Sequence, residues 1–278
     1  MSRVRLTALA LLALTVVVAG CSAPTAQSDP DSPGTGSITI TNGTLEIDAE
    51  TTFARLQTIR GTAVEPPAEL RVLNDAAAFR NQSGETVQSS ARFASLAGMN
   101  SSTVTESIDV PRQKNGYVTP LGSVVLFVGK NATTLEERLL VVHELTHYVQ
   151  FKERYQEQLL SAGIDPTTTD GSFVVRSLVE GGAIVTTDAY LARFGNATDA
   201  NSAMYRSVQS TLPDGHVRKY GNAKYVFGGE YMDSRTTEPA DLSSVYENPP
   251  LTSEQVIHGL GPAEEPAVPL EVTVDPGS

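Results

Sequence analysis

The chain has 278 residues, a formal net charge of −12 and a single cysteine. This length allows one core domain with no more than a small additional lobe. An acidic chain repels phosphate backbones, so we expect no nucleic-acid partner. One cysteine cannot form a disulfide within the chain, so a folded domain here has to be held by its hydrophobic core and by any metal that it binds.

The N-terminus predicts export and attachment to a membrane. Two arginines precede an apolar run at residues 6–18, so residues 1–20 have the pattern of a signal peptide. Val-Ala-Gly-Cys at 18–21 resembles the lipobox of bacterial and archaeal lipoproteins, which predicts lipidation of Cys21 and a position on the cell membrane facing outside. The alternatives are an ordinary signal peptide with an unpaired thiol, or an uncleaved anchor.

Composition divides the remaining chain into three segments. Residues 21–36 are rich in Ser, Pro, Thr, Ala and Asp without apolar periodicity, which predicts a flexible tether. Residues 37–260 carry the periodic apolar patterns of a folded domain. Residues 261–278 are rich in Pro, Glu and Val, which predicts a loosely held tail.

The domain begins with short predicted elements and continues with long helices. In chain order we expect a strand or hairpin over 37–47 with its turn at Asn42-Gly43, a helix over 51–59, a strand over 70–73, a short helix capped by Asn74 or Asp75 through Arg80, a helix near 91–99 and a β-hairpin over 116–129. Thr134 and Glu137 match a capping box, so the next helix is expected from Leu135 to about Gln156. After it we expect a long helix capped by Asp170 or Ser172 and ending at Phe194, then helices over 200–212, 220–233 and 253–258.

The first long helix carries His143-Glu144-x-x-His147 within an apolar run. Residues four apart on a helix lie about 40° from alignment and about 6 Å apart along the axis, so both imidazoles can reach one metal ion. Zinc accepts neutral imidazole nitrogens and leaves one of four positions to water in catalytic sites. Glu144 lies beside the pair and is the candidate general base for that water. The alternative is an amphipathic helix that carries two histidines by chance.

A catalytic zinc site needs a third protein ligand. The metzincin spacing fails, because Gln150 and Glu153 stand where that pattern has Gly and His. The remaining candidate is Glu180, 33 residues after His147, since this separation lets an antiparallel helix return beside the first. A carboxylate suits the third protein position of zinc.

Two glycines, Gly181 and Gly182, follow the candidate third ligand within a predicted helix. Each costs about 1 kcal/mol relative to Ala in a helix interior. We therefore expect a neighbouring helix or a substrate to approach the backbone closely at this point.

This set of residues resembles the gluzincin metallopeptidases, in which two His of a His-Glu-x-x-His motif and a Glu from a later helix hold zinc. The match covers His143, Glu144, His147 and Glu180. The resemblance implies an α+β, zincin-like fold, with a small β-hairpin or sheet beside a helical bundle that carries the metal helix and the third-ligand helix. It also implies Zn2+ as the cofactor and a peptide or protein as the substrate.

A narrower resemblance depends on the order of three motifs. Residues 142–147, 178–183 and 249–258 look like successive segments of exported gluzincin-like proteins of bacteria and halophilic archaea. In that group an Asn- or Arg-Pro-Pro-x-Ser/Thr-Ser/Thr-Glu-Gln-x-x-His segment follows the metal helices. The resemblance covers roughly residues 53–258. An acidic chain with only five lysines among 20 basic residues is also typical of salt-loving archaea.

One position departs from the thermolysin-like pattern within this family. There an Asp four residues after the ligand Glu supports a zinc-bound His, whereas Ile184 occupies that place here and Asp188 lies one turn further on. The residues that orient the ligand imidazoles must therefore come from elsewhere in the chain.

Several residues are candidates for stabilising the oxyanion, a role that a His or Tyr near the zinc commonly takes in metallopeptidases. His258 is the main candidate, and a solvent-facing or structural His is the equal alternative. Tyr225 and Tyr231 are further candidates, although aromatic residues at helical spacing are more often core. His216 lies in a turn, where a structural role is expected.

The leading hypothesis is a membrane-anchored extracellular zinc metalloendopeptidase. In it Glu144 activates water for peptide hydrolysis, in a cleft between the edge of the hairpin and the metal helices. A catalytically inert surface lipoprotein that keeps the metal for structure is the alternative, but it gives Glu144 no role. A metal-collecting lipoprotein is a poorer alternative, because such proteins carry more His or acidic clusters.

Overall fold

The computed structural model describes residues 36–75, 116–119, 122–195 and 200–266, which form a small mixed sheet and eight helices. They lie within the larger of two compact units, Pro33–Ser278. The elements are β1 (Thr39–Thr41), α1 (Ala49–Arg60), β2 (Glu69–Leu73), β3 (Gly116–Val118), β4 (Val124–Phe127), α2 (Thr134–Lys152), α3 (Tyr155–Ser161), α4 (Thr169–Phe194), α5 (Ala200–Thr211), α6 (Val217–Arg235), a 3-10 turn (Pro239–Asp241), α7 (Leu242–Glu247) and α8 (Ser253–His258). The predicted α+β class is confirmed.

Several predictions fall on other parts of the chain. The signal peptide at 1–20, the lipidated Cys21, the tether up to residue 35, the helix near 91–99 and the tail beyond residue 266 all lie outside the described residues. So does the short helix expected up to Arg80. Within the described ranges, no helix is long and apolar enough to cross a membrane.

The four strands form one mixed sheet in the order β1-β2-β4-β3. Strands β1, β2 and β4 run parallel, whereas β3 is antiparallel to β4 with Gly116 opposite Leu126. The predicted hairpin over 116–129 is therefore confirmed. The hairpin considered at Asn42-Gly43 is wrong, because β1 pairs with β2 in parallel and α1 makes the crossover between them.

The cap that begins α2 lies one residue before the predicted one. Thr133 accepts a hydrogen bond from the backbone N–H of Glu136, and the Glu136 carboxylate accepts one from the N–H of Thr133 at 2.7 Å. The prediction of Thr134 and Glu137 is wrong because Glu137 is buried. Its carboxylate accepts two backbone N–H groups, those of residues 46 and 47, and so connects α2 to the start of α1.

Two further helix boundaries differ from expectation. Helix α2 stops before Gln156, because Arg154 has left-handed backbone angles (φ 59°, ψ 32°) and the chain restarts there as α3. Helix α4 is capped by Thr168, whose hydroxyl accepts from the N–H of Gly171 at 3.0 Å. The predicted cap Asp170 instead accepts the N–H of Ser253 and connects α4 to α8.

Two main hydrophobic clusters form the core, and helix α2 belongs to the first. On one side its buried residues pack with the sheet, α1 and Tyr190 of α4. The second cluster joins α3, α4, α6, α7 and α8. Both clusters include residues of α4, which packs on α2 and along α6. The metal motif on α2 and the candidate Glu180 on α4 therefore belong to two helices in direct contact.

The glycines after Glu180 are explained by close approach of neighbouring groups. A Cβ at Gly181 would overlap the carbonyl oxygen of Gly228 on α6, and a Cβ at Gly228 would overlap the carbonyl oxygen of Ser177 on α4. A Cβ at Gly182 would overlap the hydroxyl of Tyr246. Helices α4 and α6 thus meet backbone to backbone. This is the close approach of a neighbouring helix that the two glycines predicted.

We expect Gly181→Ala to destabilise the domain by about 1–3 kcal/mol, the usual range for an added group in a packed interior. The matched control is Gly221→Ala on α6, where a Cβ would meet nothing within 4 Å. That exchange should be neutral or stabilise the fold by about 0.5–1 kcal/mol, because Ala costs less backbone entropy in a helix. Urea unfolding of both variants measures the difference, and equal effects would contradict this packing.

Candidate metal centre

Three candidate ligands converge in the described structure. His143 and His147 project from adjacent turns of α2, and Glu180 faces them from the middle of α4. The Nε2 atoms of the two histidines are 3.1 Å apart. Oε2 of Glu180 lies 3.4 Å from Nε2 of His143 and 3.2 Å from Nε2 of His147. The structure therefore brings together all three residues that the sequence predicted as metal ligands.

The triangle of ligand atoms has the size that a small tetrahedral ion requires. Ligand atoms at 2.0–2.1 Å from zinc in tetrahedral geometry lie about 3.3 Å from one another. The three measured edges fall between 3.1 and 3.4 Å. Two imidazoles and a carboxylate form the donor set of catalytic zinc sites, which leaves the fourth position to water. The residues present thus fit a zinc ion.

A proton on His147 can offset part of the negative charge of Glu180. Burial lowers the pKa of His147, but the hydrogen bond and charge of Glu180, with smaller contributions from Glu144 and Gln150, outweigh burial and raise it from 6.5 to about 9. Burial raises the pKa of Glu180, but hydrogen bonds from both histidines and the charge of Lys224 hold it well below its usual value. A metal ion bound to Nε2 of His147 would displace this proton, so its affinity would fall as the pH drops below about 9.

Glu144 lies in the same cavity but outside the ligand triangle. Burial raises the pKa of its carboxyl group, and the charges of His147 and His143 oppose this shift. Its Oε2 atom is buried and has no hydrogen-bond partner among the described residues. Gly116 of β3 packs directly on this side chain, since a Cβ at 116 would overlap Glu144 Cγ. A buried carboxylate oxygen without a partner is costly, which suggests that a bound group completes it.

Each ligand imidazole meets a side-chain amide. Nδ1 of His147 lies 2.8 Å from Oε1 of Gln150, which accepts its proton and leaves Nε2 free for a metal. Gln150 is held in turn by the carbonyl oxygen of Val179 and the hydroxyl of Tyr246. His143 meets the amide of Asn201 on α5. Because Ile184 stands where a supporting Asp was expected, other residues had to orient the ligand imidazoles. In the structure these residues are the neutral amides of Gln150 and Asn201.

The second oxygen of Glu180 faces away from the histidines. Nζ of Lys224 on α6 lies 3.4 Å from Oε1 of Glu180 and 4.8 Å from the centre of the Tyr225 ring. Tyr225 stacks on Tyr205 at 4.2 Å between ring centres, and burial together with the charge of Glu180 raises its pKa well above the usual value. One carboxylate oxygen is thus kept for the lysine, and the other points at the two imidazoles.

The cluster opens into a cavity of about 1210 Å³. Strand β3, helix α2 and residues of α3, α5 and α6 line it. Its wall extends from Leu135 near the start of α2 to Phe151 near its end, which is about 24 Å along the helix axis. Both side chains are partly exposed, at 41% and 42%. The ligand residues lie midway along this wall.

Other residues that the sequence put forward lie elsewhere. His258 does not line the cavity, its side chain is 58% exposed, and it pairs with Glu254 of its own helix at 3.1 Å. Its predicted catalytic role is therefore corrected, because α8 carries it away from the metal cluster. Tyr231 is buried in the helical core, and His216 caps α6 by accepting the N–H of Arg218. Of the alternative donors, Tyr225 alone lines the cavity in the described structure.

Sequence reasoning missed several residues of the site. Gln150 could have been found, because it lies three residues after His147 on the same helix face. Gly116, Asn201 and Lys224 carry no such signal. Each comes from a separate element, so only the packing of those elements brings them to the cluster.

No family model matches the chain, and neither a curated protein nor a solved structure matches it. The chemistry of the site is therefore defined by its own side chains. Two imidazoles and a carboxylate could hold a metal ion, and a second carboxylate in the same cavity could move a proton. This combination suits metal-assisted hydrolysis.

If Glu180 is the third ligand, Glu180→Ala should weaken zinc binding by more than the roughly 10–100-fold that loss of a ligand's hydrogen-bond partner costs. Competition with a chromophoric chelator measures the affinity of purified protein. Glu230→Ala is the control, because Glu230 is exposed on α6 and is not in the cluster. Wild-type affinity in Glu180→Ala would show that this carboxylate is not a ligand.

Proposed function

We propose that this protein is a zinc metallopeptidase of the gluzincin type that hydrolyses peptide bonds outside the cell. The observation that carries the proposal is the triangle of His143 Nε2, His147 Nε2 and Glu180 Oε2, with the Glu144 carboxylate in the same cavity. The zincin-like character of the fold belongs to this proposal. It is supported by a sheet that packs on the metal helix and by a third ligand from a later helix in contact with it.

Three residues would hold the metal, and a fourth would handle protons. His143, His147 and Glu180 supply the ligand atoms. A zinc ion held there would act as a Lewis acid that acidifies a water molecule and polarises a peptide carbonyl. Glu144 would accept a proton from the attacking water and return it to the amine nitrogen as the C–N bond breaks.

The shape of the cavity suits an extended peptide. A wall of about 24 Å along α2 matches about seven residues of an extended chain. Strand β3 forms one end of the sheet order among the described strands, and it also lines the cavity. An edge strand can pair with a peptide backbone through main-chain hydrogen bonds. An internal peptide bond could therefore lie across the ligand triangle, which favours an endopeptidase over an exopeptidase.

Tyr225 takes the place of His258 as the oxyanion donor in this proposal. It lines the cavity beside Lys224, which contacts Glu180, one residue of the ligand triangle. Burial raises its pKa well above the usual value, so it stays protonated and can donate. A neutral hydroxyl close to the metal can stabilise negative charge on the carbonyl oxygen.

The location of the activity is a proposal that the sequence supports. The signal-like residues 1–20 and the lipobox-like Val-Ala-Gly-Cys at 18–21 support a lipidated Cys21, which would hold the domain at the outer face of the membrane. One acyl chain gives only marginal anchoring, so stable attachment needs a second. A peptide or protein substrate would then be met at the cell surface.

Glu144→Gln is expected to keep zinc and lose turnover. Gln preserves the size and hydrogen bonding of the side chain but removes the base, and general acid–base assistance contributes about 10²–10⁴-fold to rate. Hydrolysis of a fluorogenic peptide library by zinc-loaded protein measures the loss, and metal analysis checks the zinc. Glu157→Gln is the control, because Glu157 lines the same cavity from α3 and its side chain is 59% exposed.

Three results of this experiment have different meanings. Wild-type activity in Glu144→Gln would remove Glu144 as the base. Zinc binding without hydrolysis in either protein would support the inert binding lipoprotein instead. Equal losses in Glu144→Gln and Glu157→Gln would show that the loss comes from altered substrate binding along the cavity.

A further inference from the structure

A histidine that ligates a metal through Nε2 needs a fixed proton on Nδ1. A hydrogen-bond acceptor at Nδ1 selects this tautomer and sets the angle of the ring. For His147 the acceptor is Gln150, on the same helix. His143 has no such partner on α2 among the hydrogen bonds of the described residues, and its Nδ1 points towards α5.

Asn201 meets His143 from α5. Its amide lies 3.3 Å from Nδ1 of His143, measured at Nδ2, and the residue is 3% exposed. A half-turn of the amide brings Oδ1 to the same place, because the two atoms are nearly equal in size. With Oδ1 there, Asn201 accepts the Nδ1 proton, and the Nε2 lone pair of His143 is free to bind a metal.

Asp188 holds the start of α5 in position for this contact. One carboxylate oxygen accepts the backbone N–H of Asn201 at 2.8 Å, and the other accepts the N–H of Ser202 at 3.1 Å. These two N–H groups belong to the first turn of α5, where a negative charge is favourable. Asp188 lies on α4, two turns after Glu180. The helix that provides the third ligand, Glu180, therefore also holds Asn201, the residue that contacts the first ligand, His143.

We propose that Asn201 is the positioning residue of His143 and that Asp188 holds Asn201 in place, a role that rests on the proposed metal centre. The position from which an Asp would reach the imidazole in the thermolysin-like pattern is Ile184, which is 1% exposed and packs with Tyr205 and Tyr225. In this protein the carboxylate, Asp188, lies one helical turn after that position. It acts on the imidazole of His143 indirectly, by holding Asn201.

The first test is zinc affinity, measured by chelator competition on full-length protein. Asn201→Leu removes the acceptor at similar size and should lower affinity by about 10–100-fold. Asn201→Asp restores an acceptor oxygen and should recover most of that loss. Asp188→Ala should lower affinity in the same direction by less than Asn201→Leu. Asn248→Leu, an exposed site at the end of α7, is the control for the exchange itself.

The second test needs no variant and therefore does not depend on how the variants fold. Nitrogen-15 NMR of histidine-labelled, zinc-loaded wild-type protein reports the Nδ1 proton of His143 and its rate of exchange with solvent. Zinc at Nε2 by itself requires a proton on Nδ1, so the exchange rate is the test: we expect slow exchange, because the buried Asn201 accepts this proton.

The results of these two tests decide whether Asn201 positions the imidazole of His143. Unchanged affinity in Asn201→Leu, an equal loss in Asn201→Asp, or fast solvent exchange of the His143 Nδ1 proton would overturn this role while leaving the metal centre intact. Failure of the wild-type protein to bind zinc would overturn the metal centre itself, and the role with it. A selective loss in Asn201→Leu with recovery in Asn201→Asp would establish it.

Discussion

The structure depends on the convergence of two imidazoles and one carboxylate within 3.4 Å of each other. Lys224 offsets part of the charge of this buried carboxylate, and a further cation beside the imidazoles, a proton or a metal, stabilises the close contact of the three groups. Burial lowers the pKa of His147, but Glu180 raises it by more, so a proton on His147 can take this role. A metal ion would satisfy all three groups at once, so the cluster favours metal binding over a purely structural use of the same residues.

The elements around the cluster act mainly to hold its geometry. The backbone contact of Gly181 with Gly228 sets the distance between α4 and α6, which brings Lys224 to the outer oxygen of Glu180. The amides of Gln150 and Asn201 face the two imidazoles. Neutral amides and one lysine leave the ligand set less electron-rich than carboxylate partners would. A metal held this way would be a stronger Lewis acid, as a hydrolase requires.

Sequence patterns predicted the parts of the site that depend on helical spacing. The four-residue separation of His143 and His147 predicted that both reach one metal ion. The separation of 33 residues between His147 and Glu180 predicted a returning helix that carries the third ligand, and the cost of Gly181 and Gly182 in a helix predicted close packing there. The hairpin of β3 and β4 followed from its β-rich runs. Periodicity identifies a face of a helix but not the helix that will cover it. The sequence therefore missed Asn201 and Lys224, and it assigned His258 to a site that α8 does not reach.

Zinc K-edge X-ray absorption of the zinc-loaded wild-type protein tests the metal centre most directly. We expect one zinc per chain with four nitrogen or oxygen ligands at about 2.0–2.1 Å and the outer-shell scattering of two imidazoles. Such a spectrum would match two histidines, one carboxylate and one exchangeable position. A shell of six oxygens without imidazole scattering, or failure to retain stoichiometric zinc, would contradict the account.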